Sequence, residues 1–333
     1  MATRYDVARI SDVSAATVSH VINNTKYVSP ELKERVLKAI NELDYKPNIV
    51  ARSLVTKSTK HVGILINDIT NPYYGEIAQG MEEIAQQNGY MVSLCLASGN
   101  ADSYISSIMQ RQMDGLFIAT VYNKFSREQI QQLSNMNVKI VNDQYSIGSC
   151  ICFNYSDAID NLVKYFADMG HKRIGFLSGL DTKSDVDARY KSYMKAVQKY
   201  GLDSDENLVV EGIFPYNTDF YSGYEAMKKL LSRVTRVTAV MTTNDYMAFG
   251  AMKAIKEAGL RIPEDISIAG CDDIFLSECT DPSLTTIRVP KKEMGRQAMY
   301  AILNEINRKA TVNIELAADL VIRKSTSSPA ERG

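Results

Sequence analysis

Residues 6–24 place polar and apolar side chains at spacings typical of two short helices joined by a tight turn. The apolar side of the first helix is formed by Val7, Ala8 and Ile10. Ser14 is placed to accept a hydrogen bond from a free N–H group of the second helix, expected over residues 15–22. Because Val18, Val21 and Ile22 face inward, the outer face carries Ala15, Ala16, Thr17 and His20. Such a face is what a recognition helix presents to the major groove of DNA.

A third helix is expected from Ser29 onward, where Ser29 is the N-cap, Pro30 takes the first helical position and Glu31 faces the positive end of the helix dipole. Its apolar positions at helical spacing are Leu32, Val36, Leu37, Ile40 and Leu43. Residues 1–60 contain ten Lys and Arg against six Asp and Glu, a net charge of +4, whereas the whole chain carries −1. A small basic helical module on an acidic body is typical of proteins that bind DNA phosphates.

This module contains several short motifs, in the following order: Asp6-Val7-Ala8, Val13-Ser14, Thr17-Val18-Ser19, Asn23-Asn24, Val28-Ser29 and Pro47-Asn48-x-x-Ala51-Arg52-x-Leu54. With these motifs, residues 3–54 resemble the headpiece of the lactose-repressor/galactose-repressor (LacI/GalR) family of bacterial transcription regulators. The resemblance implies a helix-turn-helix domain over residues 1–46, followed by a hinge helix and linker over residues 47–60.

The resemblance also implies which residues contact DNA. Phosphate contacts are expected from the short polar side chains of Thr3, Ser14, Thr17, Asn23 and Ser29. Base contacts are expected from Ala15, Ala16 and His20, where the family often carries bulkier residues and an arginine, so the operator of a relative cannot be transferred. In the hinge, Asn48, Ala51 and Leu54 lie on a helix too short to persist alone, and Leu54 matches the residue that wedges into the minor groove.

Beyond residue 60, apolar strand-like runs alternate with amphipathic helices, which predicts parallel βαβ units. The pattern restarts near residue 173. We therefore expect an α/β core of two similar parallel-sheet subdomains, like the periplasmic sugar-binding proteins, over residues 61–328. The first subdomain is placed at about 61–157 and 286–318, and the second at about 158–285 and 319–328. Ligands in such folds bind beyond the carboxyl ends of the strands, in the cleft between the halves.

Candidate ligand contacts follow the expected strands. Pro72 is expected to turn the chain so that Tyr73 and Tyr74 face the cleft, and Asp143 lies just past the fourth strand. The family resemblance implies that effector contacts come from Tyr73, Tyr74, Arg189, Asn244 and Asp272, with Phe220 as a stacking surface. For Asp245 and Asp273 the sequence favours a helix N-cap role.

The composition speaks against several other classes of protein. The chain has no nucleophile elbow, phosphate-binding loop, dinucleotide fingerprint or zinc-protease motif, so we expect neither an enzyme nor a bound cofactor. Its five cysteines lack C-x-x-C spacing and its three histidines lack a helical partner, which predicts free thiols and no metal site. The N-terminus does not resemble a signal peptide and there is no membrane-length apolar run, so a cytoplasmic location is expected.

Together with the family resemblance, these features predict a homodimeric repressor that binds a palindromic operator and is controlled by a small ligand, which the resemblance implies is a saccharide. Three alternatives stay open. The effector could be a purine or a phosphoprotein corepressor, or the chain could be a solute-binding protein with no DNA function.

Overall fold

The computed structural model describes residues 2–23, 25–46, 58–97, 108, 113–119, 127–135, 137–143, 148–180, 182, 187–211, 217–233 and 236–330. The chain divides into two compact units, Met1–Thr59 and Lys60–Gly333. The hinge residues singled out above, Asn48, Ala51 and Leu54, lie outside the described residues.

The described residues of the first unit form three helices around a small apolar core: α1 (Arg4–Ile10), α2 (Ala15–Asn23) and α3 (Pro30–Glu42). Each helix begins at a side chain that accepts a hydrogen bond from a free backbone N–H. Thr3 accepts from Asp6, Ser14 from Thr17 and Ser29 from Leu32. The fully buried centre of the core is formed by Val7, Val18 and Val36.

Two apolar residues expected in this core lie on its surface instead. Ile10 is 46% exposed at the end of α1, and Leu37 is 45% exposed on α3. On α3 the buried position next to Val36 is taken by Ala39, a small residue that lets the helices approach closely. Hydrophobic spacing located the helix correctly, but its assignment of Leu37 to the core was wrong.

Two six-stranded sheets form the second unit. The first sheet has the order β11-β5-β4-β3-β1-β2, and all its strand pairs are parallel. Its strands are β1 (His61–Ile66), β2 (Met91–Leu96), β3 (Gly115–Ala119), β4 (Lys139–Asn142), β5 (Ser149–Asn154) and β11 (Asn313–Ala317). The central strands β1 and β3 are almost wholly buried, because helices cover both faces of a parallel sheet.

The second sheet repeats this arrangement with the order β12-β10-β9-β8-β6-β7. Its strands are β6 (Ile174–Ser178), β7 (Val209–Glu211), β8 (Ala239–Thr242), β9 (Ser267–Asp272), β10 (Thr285–Arg288) and β12 (Asp319–Val321). Only β12 runs antiparallel to its neighbour, β10, among these described pairs. The predicted fold class is confirmed, whereas β5, β10, β11 and β12 were not recognised in the sequence because they are short or lie at the crossovers between the sheets.

The helices of the second unit connect these strands. They are α4 (Pro72–Gln87), α5 (Arg127–Asn135), α6 (Ser156–Asp168), α7 (Ala188–Lys199), α8 (Phe220–Ser232), α9 (Asp245–Glu257), α10 (Leu276–Cys279) and α11 (Lys291–Ile306). Pro72 opens α4 behind the N-cap Asn71, rather than simply turning the chain. The chain passes between the sheets three times: after β5, after β10 and after β11.

In each half of the second unit, which consists of one sheet and its helices, the backbones of one helix pair touch at glycines. In the first half, a Cβ at Gly80 of α4 would lie 1.9 Å from the Lys292 carbonyl oxygen, and one at Gly295 of α11 would lie 2.0 Å from that of Ile77. In the second half, Gly223 of α8 and Gly250 of α9 make the same kind of reciprocal contact. Because no side chain fits at these crossings, each helix pair is locked at one separation.

We predict that Gly80→Ala destabilises the protein by about 1–3 kcal/mol or more, since the added methyl group must push α4 away from the α11 backbone. Gly75 is the matched control, because it lies on the same helix and a Cβ there would meet no atom within 4 Å. Gly75→Ala should stabilise slightly, by about 0.5–1 kcal/mol, through helix propensity. Urea unfolding of both variants measures the difference, and equal effects would contradict the proposed close crossing.

Candidate DNA-binding and effector sites

The outer face of α2 carries a constrained polar arrangement. The hydroxyl groups of Ser14 and Thr17 lie 2.9 Å apart, and His20 Nδ1 lies 2.9 Å from the hydroxyl of Thr25. The His20 ring is therefore held through one nitrogen, and the other nitrogen points away from that bond. Ala16 is exposed, whereas Ala15 packs partly against the headpiece core.

Three of the five expected phosphate contacts, Thr3, Ser14 and Ser29, are the N-caps of α1, α2 and α3. Helix N-termini attract phosphates because their free N–H groups and dipole face outward. Asn23 instead donates its amide to Ser19 at 3.2 Å. The DNA contacts themselves stay predictions.

Arg35 on α3 is a headpiece residue that the sequence analysis missed. Its guanidinium donates to the carbonyl of Ser11 at 2.6 Å and to that of Asp12 at 3.2 Å. Asp12 has a φ of 48°, a left-handed conformation in the turn between α1 and α2. Arg35 thus fixes the turn that sets the angle of α2, and nothing in its sequence position indicated this long-range bond.

The cleft between the two halves of the second unit collects side chains from both sheets. Tyr73 lies in the first turn of α4, and Asp143 follows β4 directly. From the second half, Arg189 lies in the first turn of α7 and Asp272 ends β9. Tyr155 joins them from the link between β5 and α6, with Arg189 5.5 Å from its ring centroid. We call these five residues the cleft cluster.

The members of the cleft cluster are close enough to affect one another's ionisation. Burial raises the pKa of the Tyr73 phenol well above its usual value, and the nearby acidic groups of Tyr155, Asp272 and Asp143 raise it further. Burial raises the pKa of Asp143 to about 7, although Arg189 opposes this. Burial and the nearby Asp245 raise the pKa of Asp272 to about 8. Neither aspartate accepts a hydrogen bond from another side chain among the described residues, and their roles as effector contacts stay predictions.

Arg189 is held in place by a second aspartate. Its Nε donates to Oδ1 of Asp187 at 3.0 Å, and both side chains are largely buried. The same Oδ1 accepts from the Arg189 backbone N–H, so Asp187 is also the N-cap of α7. The other oxygen, Asp187 Oδ2, is buried and has no hydrogen-bond partner in the described part of the chain. This pair orients the guanidinium before any ligand arrives.

The other residues expected at the effector site occupy different environments. Tyr74 is 9% exposed and packs in the apolar core, with its ring edge-on to that of Tyr73 at a centroid distance of 5.0 Å. Asn244 caps α9 by accepting from Met247 N–H at 2.9 Å, and its amide donates to the Thr218 carbonyl at 3.0 Å. Phe220 begins α8 with its ring edge-on to that of Tyr221. The effector roles of these three residues stay predictions.

The N-cap roles expected for Asp245 and Asp273 were wrong. Asp245 is fully buried, and its carboxylate accepts from Ile274 N–H at 2.9 Å and from the hydroxyl groups of Ser277 and Thr286. Asp273 forms ion pairs of 2.7 Å with Arg288 and with Arg323. Both carboxylates therefore fasten the segment after β9 to neighbouring strands, a pairing between distant residues that local sequence cannot reveal.

Tyr155 of the cleft cluster and Asn67, which follows a strand end, are two residues that the sequence analysis did not assign. Tyr155 was missed because β5, which it follows, was not recognised. Asn67 comes directly after β1, and both polar atoms of its side chain are buried without a hydrogen-bond partner among the described residues. Its position past a strand end, the rule applied to Asp143, would have found it.

Comparison with known proteins agrees with this architecture. Residues 3–48 match the family model "Bacterial regulatory proteins, lacI family", and residues 163–326 match "Periplasmic binding protein-like domain". The HTH-type transcriptional repressor PurR of Pasteurella multocida (strain Pm70) is 36% identical over 342 residues, covering 98% of this chain and 99% of the relative. The chain belongs to the lacI family of bacterial regulatory proteins.

Other relatives extend the comparison. PurR of Haemophilus influenzae (strain PittEE) is 35% identical over 98% of this chain and 99% of its own. The lac repressor dimer bound to operator and the anti-inducer ONPF superposes with a TM-score of 0.83 at 28% identity, covering 98% of this chain and 99% of that one. A CelR–cellobiose complex has a TM-score of 0.72 at 25% identity, covering 98% and 100%. The recognition of the family from its headpiece motifs is confirmed, and the protein is a transcriptional repressor of this family.

Two kinds of feature are absent from the described residues. None of the helices they form is both long and apolar enough to span a membrane. They also contain no group of three or more His, Cys, Asp or Glu residues arranged to hold a metal ion.

The raised pKa values in the cleft predict a pH dependence of stability. Between about pH 4 and pH 8 the folded protein retains protons on Asp143 and Asp272 that the unfolded chain releases, so these groups lower the free energy of unfolding as the pH rises. Asp272→Asn removes one of them, and relative to the wild type it should gain a few kcal/mol of stability between pH 5 and pH 8.

The control, Asp160→Asn, should lower the free energy of unfolding instead of raising it. Hydrogen bonds from Lys199 lower the pKa of Asp160, so its stabilising effect is complete above about pH 4 and should be constant from pH 5 to pH 8. Urea unfolding across this range measures both variants. A pH-independent difference between Asp272→Asn and the wild type would contradict the buried, ionisable cleft.

Proposed function

We propose that this chain is a homodimeric, ligand-controlled repressor that binds a palindromic operator through its helix-turn-helix unit and a small polar effector in the cleft. The observation that supports this most directly is the cleft cluster. It joins two carboxyl groups, a guanidinium and two phenol rings from both halves of the core at the carboxyl ends of parallel strands. No catalytic role is proposed for it.

The class of effector is a separate proposal. The sequence analysis favoured a saccharide, but the relatives that match nearly the whole chain at 34–36% identity are PurR repressors, and they favour a purine. The cleft suits a purine for two reasons. The N–H groups of the purine can donate to Asp143 and Asp272, and its ring nitrogens can accept from Arg189. The rings of Tyr73 and Tyr155 offer flat apolar surfaces beside these groups.

A saccharide is the second candidate. Structural neighbours at 25% and 26% identity were solved with cellobiose and with ribose. Aspartates beside an arginine also suit the paired hydroxyl groups of a sugar ring, and an aromatic face can stack on its C–H groups. The two classes therefore have to be separated by binding experiments.

The DNA-binding part of the proposal predicts a strong and salt-dependent affinity. Selection from a random duplex pool with the full chain should return a two-fold symmetric site, whose affinity falls steeply with salt because bound counterions are released. The core of residues 60–333 lacks the basic unit and should not bind. Filter binding of both proteins, with a scrambled duplex as control, tests this. Equal binding by the core would overturn the assignment.

The effector part is tested by calorimetry of the full chain with hypoxanthine, guanine, adenine, ribose, glucose and cellobiose. We expect one or more of the purines to bind and the saccharides not to bind. Binding of a saccharide alone would replace the purine by the second candidate. If no compound of either class bound, the proposed effector would be wrong in both forms.

Arg189→Met should then lower the affinity for the ligand by about 10- to 150-fold, because charge-assisted hydrogen bonds contribute about 1.5–3 kcal/mol each. The variant is best made together with Asp187→Asn, so that no unpaired carboxylate is left buried. Lys195→Ala, on the exposed side of the same helix, is the matched control. Unchanged ligand affinity in the double variant would remove Arg189 from the site.

A further inference from the structure

Lys291, the first residue of α11, is a buried lysine outside the effector contacts described above. It is 3% exposed, and a buried ammonium group is costly unless its protons are hydrogen-bonded. Its Nζ donates to the backbone carbonyl of Asp272 at 2.6 Å and to that of Asp273 at 2.9 Å. The third partner is the carboxylate of Glu76, at 3.4 Å. One charge therefore binds two carbonyl groups of the second half and one carboxylate of the first.

The two carbonyl groups belong to a strained segment. Asp272 has a φ of 122° and Asp273 a φ of 53°, both in the region that favours glycine. Residues other than glycine adopt such backbone only where their surroundings enforce it. Lys291 draws both carbonyl groups toward a single ammonium, which fixes the backbone from which the Asp272 carboxyl projects into the cleft cluster.

The third partner leads to the opposite wall of the cleft. Glu76 lies on α4 one turn after Tyr73, the cleft-cluster tyrosine of the first half. Helices α4 and α11 also touch through Gly80 and Gly295. A continuous path of bonded groups therefore runs from Asp272 through Lys291 and Glu76 to the helix that bears Tyr73.

Helix formation alone does not explain a lysine here. A positive charge in the first turn of a helix faces the positive end of the helix dipole, which is unfavourable. The next residue, Lys292, satisfies its charge at the surface by pairing with Glu83. The bonds that compensate for burying Lys291 are those to Asp272, Asp273 and Glu76.

We propose that Lys291 is a positioning residue that sets the backbone of Asp272 and joins it to α4, so that occupation of the cleft is transmitted between the two halves of the core. The inference rests on the proposed function, because it takes Asp272 and Tyr73 as effector contacts. It goes further in assigning the connection between them to one residue that does not itself contact the ligand.

Hydrogen–deuterium exchange of the effector-free full chain provides the first test. In Lys291→Met, backbone exchange should accelerate at least tenfold in two segments, residues 272–277 and residues 76–84, which lie in different halves. Exchange in α9 should not change. Lys292→Met is the matched control and should leave both segments as in the wild type. Acceleration in one half only, or equally throughout the core, would overturn the proposal.

Lys291→Arg guards against loss of folding in the methionine variant. Arginine retains the charge and the donors but displaces them, so we expect intermediate exchange in the same two segments. Wild-type exchange in both segments of Lys291→Arg, together with a folded, unchanged Lys291→Met, would show that the ammonium group does not hold the turn.

The second test uses whichever compound of the purine and saccharide panel binds. Lys291→Met should lower the affinity for that ligand at least tenfold. The affinity of the double variant Lys291→Met with Asp272→Asn should be within twofold of that of Asp272→Asn alone, because Lys291 acts through Asp272. Additive losses would overturn the positioning role. Since the exchange test needs no ligand, a wrong effector class would leave its result unaffected.

Discussion

The electrostatics of the cleft is dominated by two carboxyl groups, those of Asp143 and Asp272. Asp143 and Asp272 lie where ionisation is unfavourable, and burial raises both pKa values. Arg189 offsets part of this cost, but Asp187 already holds its guanidinium. A ligand that donates hydrogen bonds to the two aspartates would stabilise their ionised forms. Because the aspartates come from different halves, such a ligand also favours one relative orientation of those halves.

The internal packing of each half favours movement of the halves relative to each other when a ligand binds. Reciprocal glycine contacts lock α4 to α11 in the first half and α8 to α9 in the second. Because close-packed helices do not deform continuously, we expect a ligand to change how the halves are placed rather than to change each half internally. The chain crosses between the sheets at only three places within the described part, so the strain of any such change is concentrated there.

Local signals allowed much of this structure to be predicted from the sequence. Ser14, Ser29 and Pro30 marked the starts of two headpiece helices, and strands beyond residue 60 were found where short apolar runs alternate with amphipathic helices. The expectation failed where a residue's environment is set by distant parts of the chain. The spacing of Leu37 matched the core but its side chain is exposed, and Asp245 was read as a cap although it binds residues some thirty to forty positions away. Nothing local distinguishes buried Lys291 from exposed Lys292.

Under the proposed function, effector binding in the cleft and operator binding by the helix-turn-helix unit are coupled by one free energy. Linkage requires that this coupling be the same from either direction. The most direct test is to measure the dissociation constant of the effector for the free repressor and for the repressor saturated with its selected operator. We expect the two constants to differ by the factor by which the effector changes operator affinity, within the typical range of about 5- to 150-fold. Identical effector affinity in the two states would contradict it.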